Sequence, residues 1–406
     1  MVLRDLAERN QEKPQPSFSE SFWTTCFLLS MAFPSIVLEI NLNEGVRELP
    51  EYEIGFVTTE QDVNHCQPFQ KPNLEALETP LRIEMALDYL EKSGALTGLK
   101  SIRSKEATLE DVFVVHSPYL IDTVRLMSDL GCGYLAESAY ASADLLFSSL
   151  CAVGGALAAS REILSGGSKH AFALIRPPGH HASTSSPGGL CYFNNVAIAV
   201  KHAMQDESIK RVSIIDFDNH FGNGTAEIFY ADPSVQYISL HEYDYTSLGI
   251  GHYEEVGYGE GIGTNINIPL LESTSDSSYS AALDKIVKKA VMSFRPDIIA
   301  VSAGYDPHYA DPVGNMDIDS RTFWKIGSTI RSLVDSLKLK GSFWVLEGGY
   351  NLFTIGPSIH GSLSGLKGES MPRLQDQIER EICEALEEGN EEVIERVLET
   401  VSPFLE

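Results

Sequence analysis

Asp218 and His220 stand two residues apart in IIDFDNHFGNGT (214–225). On an extended backbone, side chains at that spacing point the same way. With the distant Asp306 they make a trio of two carboxylates and one imidazole. Mixed oxygen and nitrogen ligands with an open position suit a catalytic zinc or ferrous site rather than a closed structural one. The spacing alone is also what a strand-end helix cap would show, so the reading depends on its company. That company includes the adjacent His180 and His181, in a loop between a Pro-Pro-Gly turn and a second glycine-rich turn. Water activated by a metal needs a base, and a leaving amine needs an acid. Two imidazoles of different character can divide these duties if each is oriented from behind, and Asp216 and Asn223 are the available orienters. Tyr350, after a Gly-Gly turn, could hydrogen-bond a developing oxyanion. A turn-stabilising histidine pair and an ordinary half-buried tyrosine remain the plain alternatives.

The elements that must position these residues are legible as short apolar runs: 54–59, 171–175, 211–217, 235–240, 297–303 and 342–347. Between them, 147–164, 194–204, 279–294 and 321–337 carry apolar residues at helical spacing. The alternation predicts an α/β fold with a mostly parallel central sheet and helices on both faces. Five of the runs lead into polar residues: His180-His181, Asp218-x-His220, Ser239-Leu240-His241, Tyr305-Asp306 and Gly348-Gly349-Tyr350. In parallel sheets the carboxyl ends of the strands form one rim, where ligands sit. The chemistry should therefore collect there.

The 406 residues carry a formal net charge of -27. Such a surface repels phosphate backbones and argues against direct nucleic-acid binding. The six cysteines are scattered with no C-x-x-C pair, which fits a reducing, cytoplasmic setting. Phe22–Ile40 is apolar but broken by Pro34, and falls short of the ~20 residues a spanning helix needs. It reads as a buried or partner-covered extension, with Met31 as an alternative start. The expected organisation is an N-terminal extension (1–50), a catalytic domain (51–371) and an acidic helical C-terminal extension (372–406). In the last, Ile378, Ile382 and Leu386 make one helical stripe. Ile394, Val397 and Leu398 make another after a break at Gly389-Asn390.

RPPGHHA (176–182), GLCYFNN (189–195), IIDFDNHFGNGT, YISLH (237–241), SAGYDPHYADPVG (302–314) and LEGGYN (346–351) together resemble the arginase-fold deacetylases. The nearer branch is the class II-type histone deacetylases and their prokaryotic relatives, including acetylpolyamine amidohydrolases. The likeness covers roughly residues 51–366 and implies the three-layer arginase/deacetylase fold. It implies a hydrolase that removes an acyl group from an amine such as acyl-lysine, with zinc (or ferrous iron) on Asp218, His220 and Asp306. His181 would be general base and acid with His180 assisting, Asp216 and Asn223 behind them, and Tyr350 polarising the carbonyl. Asp311 matches a position supporting the metal surroundings. Asp216, Asp218, His220, Ser239 and Leu240 match a structural potassium site. Gly189 matches the glycine whose carbonyl receives the substrate amide.

The departures concern the substrate. Leu190 stands at the first aromatic ring's position of an acyl-lysine tunnel, and Ser247 is aligned with the second. Val313 replaces a glutamate gatekeeper, and Ala136 and Ser138 replace rim acids. These changes imply a reshaped tunnel and keep acetylpolyamines or other small acyl-amines open as substrates. A binding protein that has kept its metal site is a second reading, against which the presence of Tyr350 counts. An arginase-like ureohydrolase is a third, and SAGYDPHYADP lacks the paired D-x-D it would need.

Overall fold

The computed structural model describes residues 52–59, 64–67, 74–247 and 249–405. The predicted N-terminal extension, with its apolar stretch Phe22–Ile40, lies outside them. Strands β1 (Tyr52–Thr59), β2 (Lys100–Ser104), β5 (Ser168–Ala173), β6 (Val212–Asp216), β7 (Val235–Glu242), β8 (Asn265–Leu270), β9 (Ile298–Ala303) and β10 (Ser342–Leu346) form one sheet. Its order is β2-β1-β5-β10-β9-β6-β7-β8, and every pair is parallel. The hairpin β3 (Cys132–Ala136) and β4 (Ala139–Ser142) stands apart.

The central strands are continuous Val/Ile/Ala runs, as strands covered on both faces must be. Helices α1 (Leu81–Lys92), α9 (Ser320–Ser336) and α10 (Ile355–Lys367) cover one face, in a core that includes Leu90, Phe323 and Ile359. Helices α4 (Leu145–Leu164), α5 (Asn195–Ala203) and α6 (Asn223–Phe229) cover the other, around Ala156, Val196 and Phe229. The remaining helices are α2 (Leu109–Val112), α3 (Pro118–Leu130), α7 (Asp276–Ala282) with α8 (Lys288–Phe294) after a wide turn, and α11 (Glu384–Val401). The fold is thus the expected three-layer α/β sandwich.

Register matters most for the chemistry. Ala173, Val345, Ser302 and Asp216 stand in one row across β5, β10, β9 and β6. The four strands therefore end level, side by side, and their next few residues open onto a common rim. The edge strands β2 and β8 lack the long apolar run that marks the others. β2 (KSIRS) is polar at every position but Ile102, and β8 carries Pro269, which an edge strand tolerates.

The chain beyond 371 packs into the same unit, which spans Glu48–Glu406. Val393, Ile394, Val397 and Val401 of α11 belong to the core on the α9 face. The expected pair of stripes is corrected in two respects. Ile378 and Ile382 are exposed on a non-helical segment. That segment follows its side-chain anchors instead: Asp376 accepts from Ser320, and Arg380 pairs with Asp276, Asp317 and Asp319. Nor does the helix break at Gly389-Asn390. The Asn390 amide is buried and drawn inward, accepting from the Leu271 N–H at 3.1 Å and bonding Thr274 Oγ1 at 3.0 Å. Asn390→Ala would strand the Leu271 N–H, a loss of about 1–3 kcal/mol. Urea denaturation should show the lower midpoint with the slope unchanged.

Candidate active site

β5 ends at Ala173, and the chain turns through Arg176–Gly179 to present the two histidines. His180 Nδ1 lies 3.1 Å from Asp216 Oδ2, at the end of β6. His181 Nδ1 lies 2.7 Å from the carboxamide oxygen of Asn223, the first residue of α6. The two rings are 4.1 Å apart between centroids. Burial disfavours charge on His180, but the carboxylates of Asp218 and Asp216 outweigh it and push the pKa up to about 10. Burial lowers His181 instead, helped by the positive charge of His180, to about 3. One imidazole is thus held as a cation and its neighbour as a neutral acceptor. The difference comes from the carboxylates of Asp218 and Asp216 beside His180, against burial and neighbouring imidazoles around His181, whose Asn223 partner carries no charge. Gly189 closes over this pair with φ +51°, and a Cβ there would lie 2.3 Å from the His181 ring.

Asp218, His220 and Asp306 each offer a ligand atom, all within 4.8 Å of one another. The His220 Nδ1 is 3.1 Å from Asp218 Oδ1 and 3.0 Å from Asp306 Oδ2. Both carboxylates are buried, and among the described residues no lysine or arginine pairs with either. Asp306 Oδ2 receives no well-aligned hydrogen bond. Burial raises Asp306, and the adjacent charge of Asp218 raises it further, to about 7. Two close, buried anionic groups with an orphaned oxygen call for a cation, and the donor set fits a divalent metal of zinc or ferrous type. The backbone leaves room for that set. A Cβ at Gly348 would lie 2.4 Å from Asp306 Oδ2, and the Gly348 N–H donates to Asp218 Oδ2 at 2.8 Å.

Tyr350 follows Gly349, whose φ of +105° turns the chain after β10 towards the trio. Asp311 fixes this turn: its Oδ2 accepts from the Tyr350 and Asn351 N–H groups at 2.7 and 2.9 Å. Asp311 thus acts on the tyrosine loop. Burial pushes the Tyr350 phenol well above its usual range, so it is a neutral donor. The Arg82 guanidinium stacks on its ring at 4.5 Å.

His181, His220, Asn223 and Tyr350 line one cavity of about 500 Å³ together with Gly189, Leu190 and Val313. Ser247 is not among the lining residues. Its loop curls back on Asp244, which accepts from Thr246 N–H and from the Ser247 hydroxyl. Ser239 and Leu240 are buried on β7, with Ser239 paired in register to Asp216. Sequence reasoning passed over Glu137 and Glu227 at the cavity and the buried Glu78, Arg82, Arg176 and Glu347 beneath it. Arg82 stands in the first turn of α1 and pairs with Glu78, four residues earlier and just ahead of the helix.

A histone deacetylase domain matches residues 76–366. The chain is 37% identical over 276 residues to Histone deacetylase 14, chloroplastic, of Arabidopsis thaliana, covering 65% of this chain and 65% of that one. It is 31% identical over 315 residues to the histone deacetylase-like amidohydrolase of Pseudomonas aeruginosa, covering 77% and 82%. The match thus spans slightly less than two thirds of the plant relative and more of the bacterial one. The crystal structure of the HDA15 HD domain superposes with a TM-score of 0.77 at 28% identity, covering 87% of this chain and 95% of that one. The domain match spans the residues that build the rim, and the chain belongs to the histone deacetylase family, a family of amide-bond hydrolases.

Proposed function

We propose that the chain is a metal-dependent deacylase that removes an acyl group from an amine, with acyl-lysine as the leading substrate class. The observation that carries this is the cavity that His181, His220 and Tyr350 line together, with His180 packed on His181 and the carboxylates of Asp218 and Asp306 beside His220. Zinc, with ferrous iron as the other fitting metal, would be held by that trio and supply Lewis-acid chemistry to the acyl carbonyl and to water. His181, neutral and backed by Asn223, accepts the proton of the attacking water and returns it to the departing amine. His180, kept cationic by Asp216 and Asp218, stabilises negative charge as it develops. The Tyr350 hydroxyl donates to the oxyanion. Residues 51–371 would form the catalytic domain, buttressed by 372–406. A potassium ion held by Asp216, Asp218, His220, Ser239 and Leu240, largely through carbonyl oxygens, would brace the ends of β6 and β7. The Gly189 carbonyl would receive the substrate amide.

Glu137 and Glu227 line the cavity, and among the described residues no lysine or arginine does. That favours a cationic amine and supports acylpolyamines as the second substrate reading. Leu190 and Val313 replace bulkier lining, and Ser247 turns away. Butyryl-lysine peptides should therefore show a kcat/KM at least equal to acetyl-lysine peptides, and Leu190→Phe should reverse the order by about tenfold, the scale of one or two methylenes in an apolar pocket. The test of the function is a turnover screen of acetyl-, trifluoroacetyl- and longer-acyl-lysine peptides and acetylpolyamines, with and without added zinc. Zinc-dependent hydrolysis of any member supports the reading. A folded, zinc-loaded protein that hydrolyses none of them sinks it and leaves a binding role.

A further inference from the structure

The central strand β10 ends beside β5 and β9, and its first residue past the end, Glu347, reaches both neighbours. Its carboxylate is fully buried. Oε2 accepts from the Gly179 N–H at 2.6 Å and the His180 N–H at 3.1 Å, on the loop after β5. Oε1 accepts from the Ser302 hydroxyl at 3.0 Å, inside β9. No lysine or arginine among the described residues pairs with this carboxylate; its hydrogen-bond donors are two backbone N–H groups and a hydroxyl, and the His180 ring is the charged neighbour that favours its ionised form.

A buried carboxylate that no lysine or arginine neutralises is costly, and burial raises the Glu347 pKa accordingly. Backbone N–H donors offset part of that, as at an anion-binding turn. A serine or an apolar side chain could close the same space at less cost. What the carboxylate provides is a fixed length: one rigid planar group joins the turn that carries both histidines to the strand that carries Tyr350. The next residue extends the link. The Gly348 N–H holds Asp218, and the Glu347 and Gly349 carbonyls accept from Arg82 at 2.6 and 2.7 Å. Four consecutive residues, Glu347 to Tyr350, therefore touch the histidine turn, a carboxylate of the trio, and the arginine under the tyrosine ring. Apart from the Tyr350 ring on Arg82, only the first of these contacts is made by a side chain and is thus open to substitution.

We infer that Glu347 is a positioning residue: its carboxylate sets the distance between the His180–His181 pair and the Asp218–Tyr350 side of the site. The inference deepens the proposed function, since it concerns how the same site is held in register. Glu347 does not line the cavity, so it acts through the histidine turn and not on the substrate.

The experiment compares Glu347→Gln, Glu347→Ala and Ser302→Ala with the unsubstituted protein. Two readouts are taken: kcat and KM on whichever substrate the panel identifies, and nitrogen chemical shifts of the histidine rings. Glutamine keeps an acceptor for the two N–H groups, so Glu347→Gln should stay within about fivefold of the parent in kcat. Glu347→Ala should lose about 10–100-fold in kcat with KM within twofold, the scale seen when a ligand-orienting partner is removed. Ser302→Ala should fall between them. In the spectra, the ring signals of His180 and His181 should move in Glu347→Ala and hold in Glu347→Gln, with those of His202 and His252 at the surface fixed. Unmoved His180 and His181 signals in Glu347→Ala would overturn the inference even if the parent proved inactive. An active parent with an unchanged kcat in Glu347→Ala would overturn it and leave the deacylase reading intact. Should Glu347→Ala fail to fold, equal losses of kcat and ring-signal position in Glu347→Gln and Ser302→Ala would overturn it too.

Discussion

Tyr350→Phe should lower kcat by about 10²–10³-fold, with KM and bound metal close to those of the parent. The phenol is buried and neutral, and its hydroxyl is one of the groups lining the cavity beside His181 and His220. Phenylalanine keeps the ring on the Arg82 guanidinium, so the stack and the loop geometry should survive. Asp311 holds that loop through the N–H groups of residues 350 and 351, which the substitution does not touch. On the proposed mechanism, what is lost is a single donor to charge that exists only in the transition state. A loss confined to kcat is the signature of that role. A rise in KM with kcat unchanged would instead make Tyr350 a substrate-binding group, and an unchanged kcat/KM would remove it from the chemistry. Steady-state kinetics on the best panel substrate, with metal content measured on the same samples, decides between these.

The parts of this site that were legible in the sequence share one property. Each lies within a few residues of the end of a strand that is buried on both faces. Asp218 and His220 follow β6, Asp306 follows β9, His180 and His181 follow β5, and Tyr350 follows β10. A run of Val, Ile and Ala fixes where such a strand stops, and parallel pairing then brings the ends together. The edge strands, with polar or proline-bearing sequences, offered no such marker. Ser247 shows the limit of alignment in a loop. The residue count placed it at the tunnel, but Asp244 captures the hydroxyls and N–H groups that follow it, and the loop closes on itself. The supporting charges were hidden for a different reason. Arg82 reaches carbonyls at 347 and 349, and Arg176 pairs with Glu78, so their roles exist only through contacts between distant parts of the chain. Asn390 was misread because an amide in a glutamate-rich helix looks like a stop, until the core supplies Thr274 and Leu271 as its partners.

His181→Ala should cost more than any change at Tyr350, about 10³–10⁴-fold in kcat, at the upper end of what a positioned acid-base group contributes. Two neighbouring imidazoles invite the objection that either could serve. Their surroundings answer it. His180 sits against two carboxylates, which favour its protonated form and make it the poorer proton acceptor of the pair. His181 meets a carboxamide, is held neutral, and lines the cavity where the substrate must sit. His180→Ala should therefore lose less, about 10²-fold, because it removes a stabilising charge and keeps the base. Asn223→Ala should lose about 10–100-fold, since it frees the His181 ring without removing it. Asn223→Asp would place a carboxylate behind His181 as Asp216 stands behind His180, and should raise its proton affinity and shift the acid limb of the kcat/KM profile upward in pH. The ordering His181→Ala, then His180→Ala, then Asn223→Ala, measured on metal-loaded protein, tests the division of labour. Equal losses at the two histidines would mean that the pair shares its proton and acts as one group.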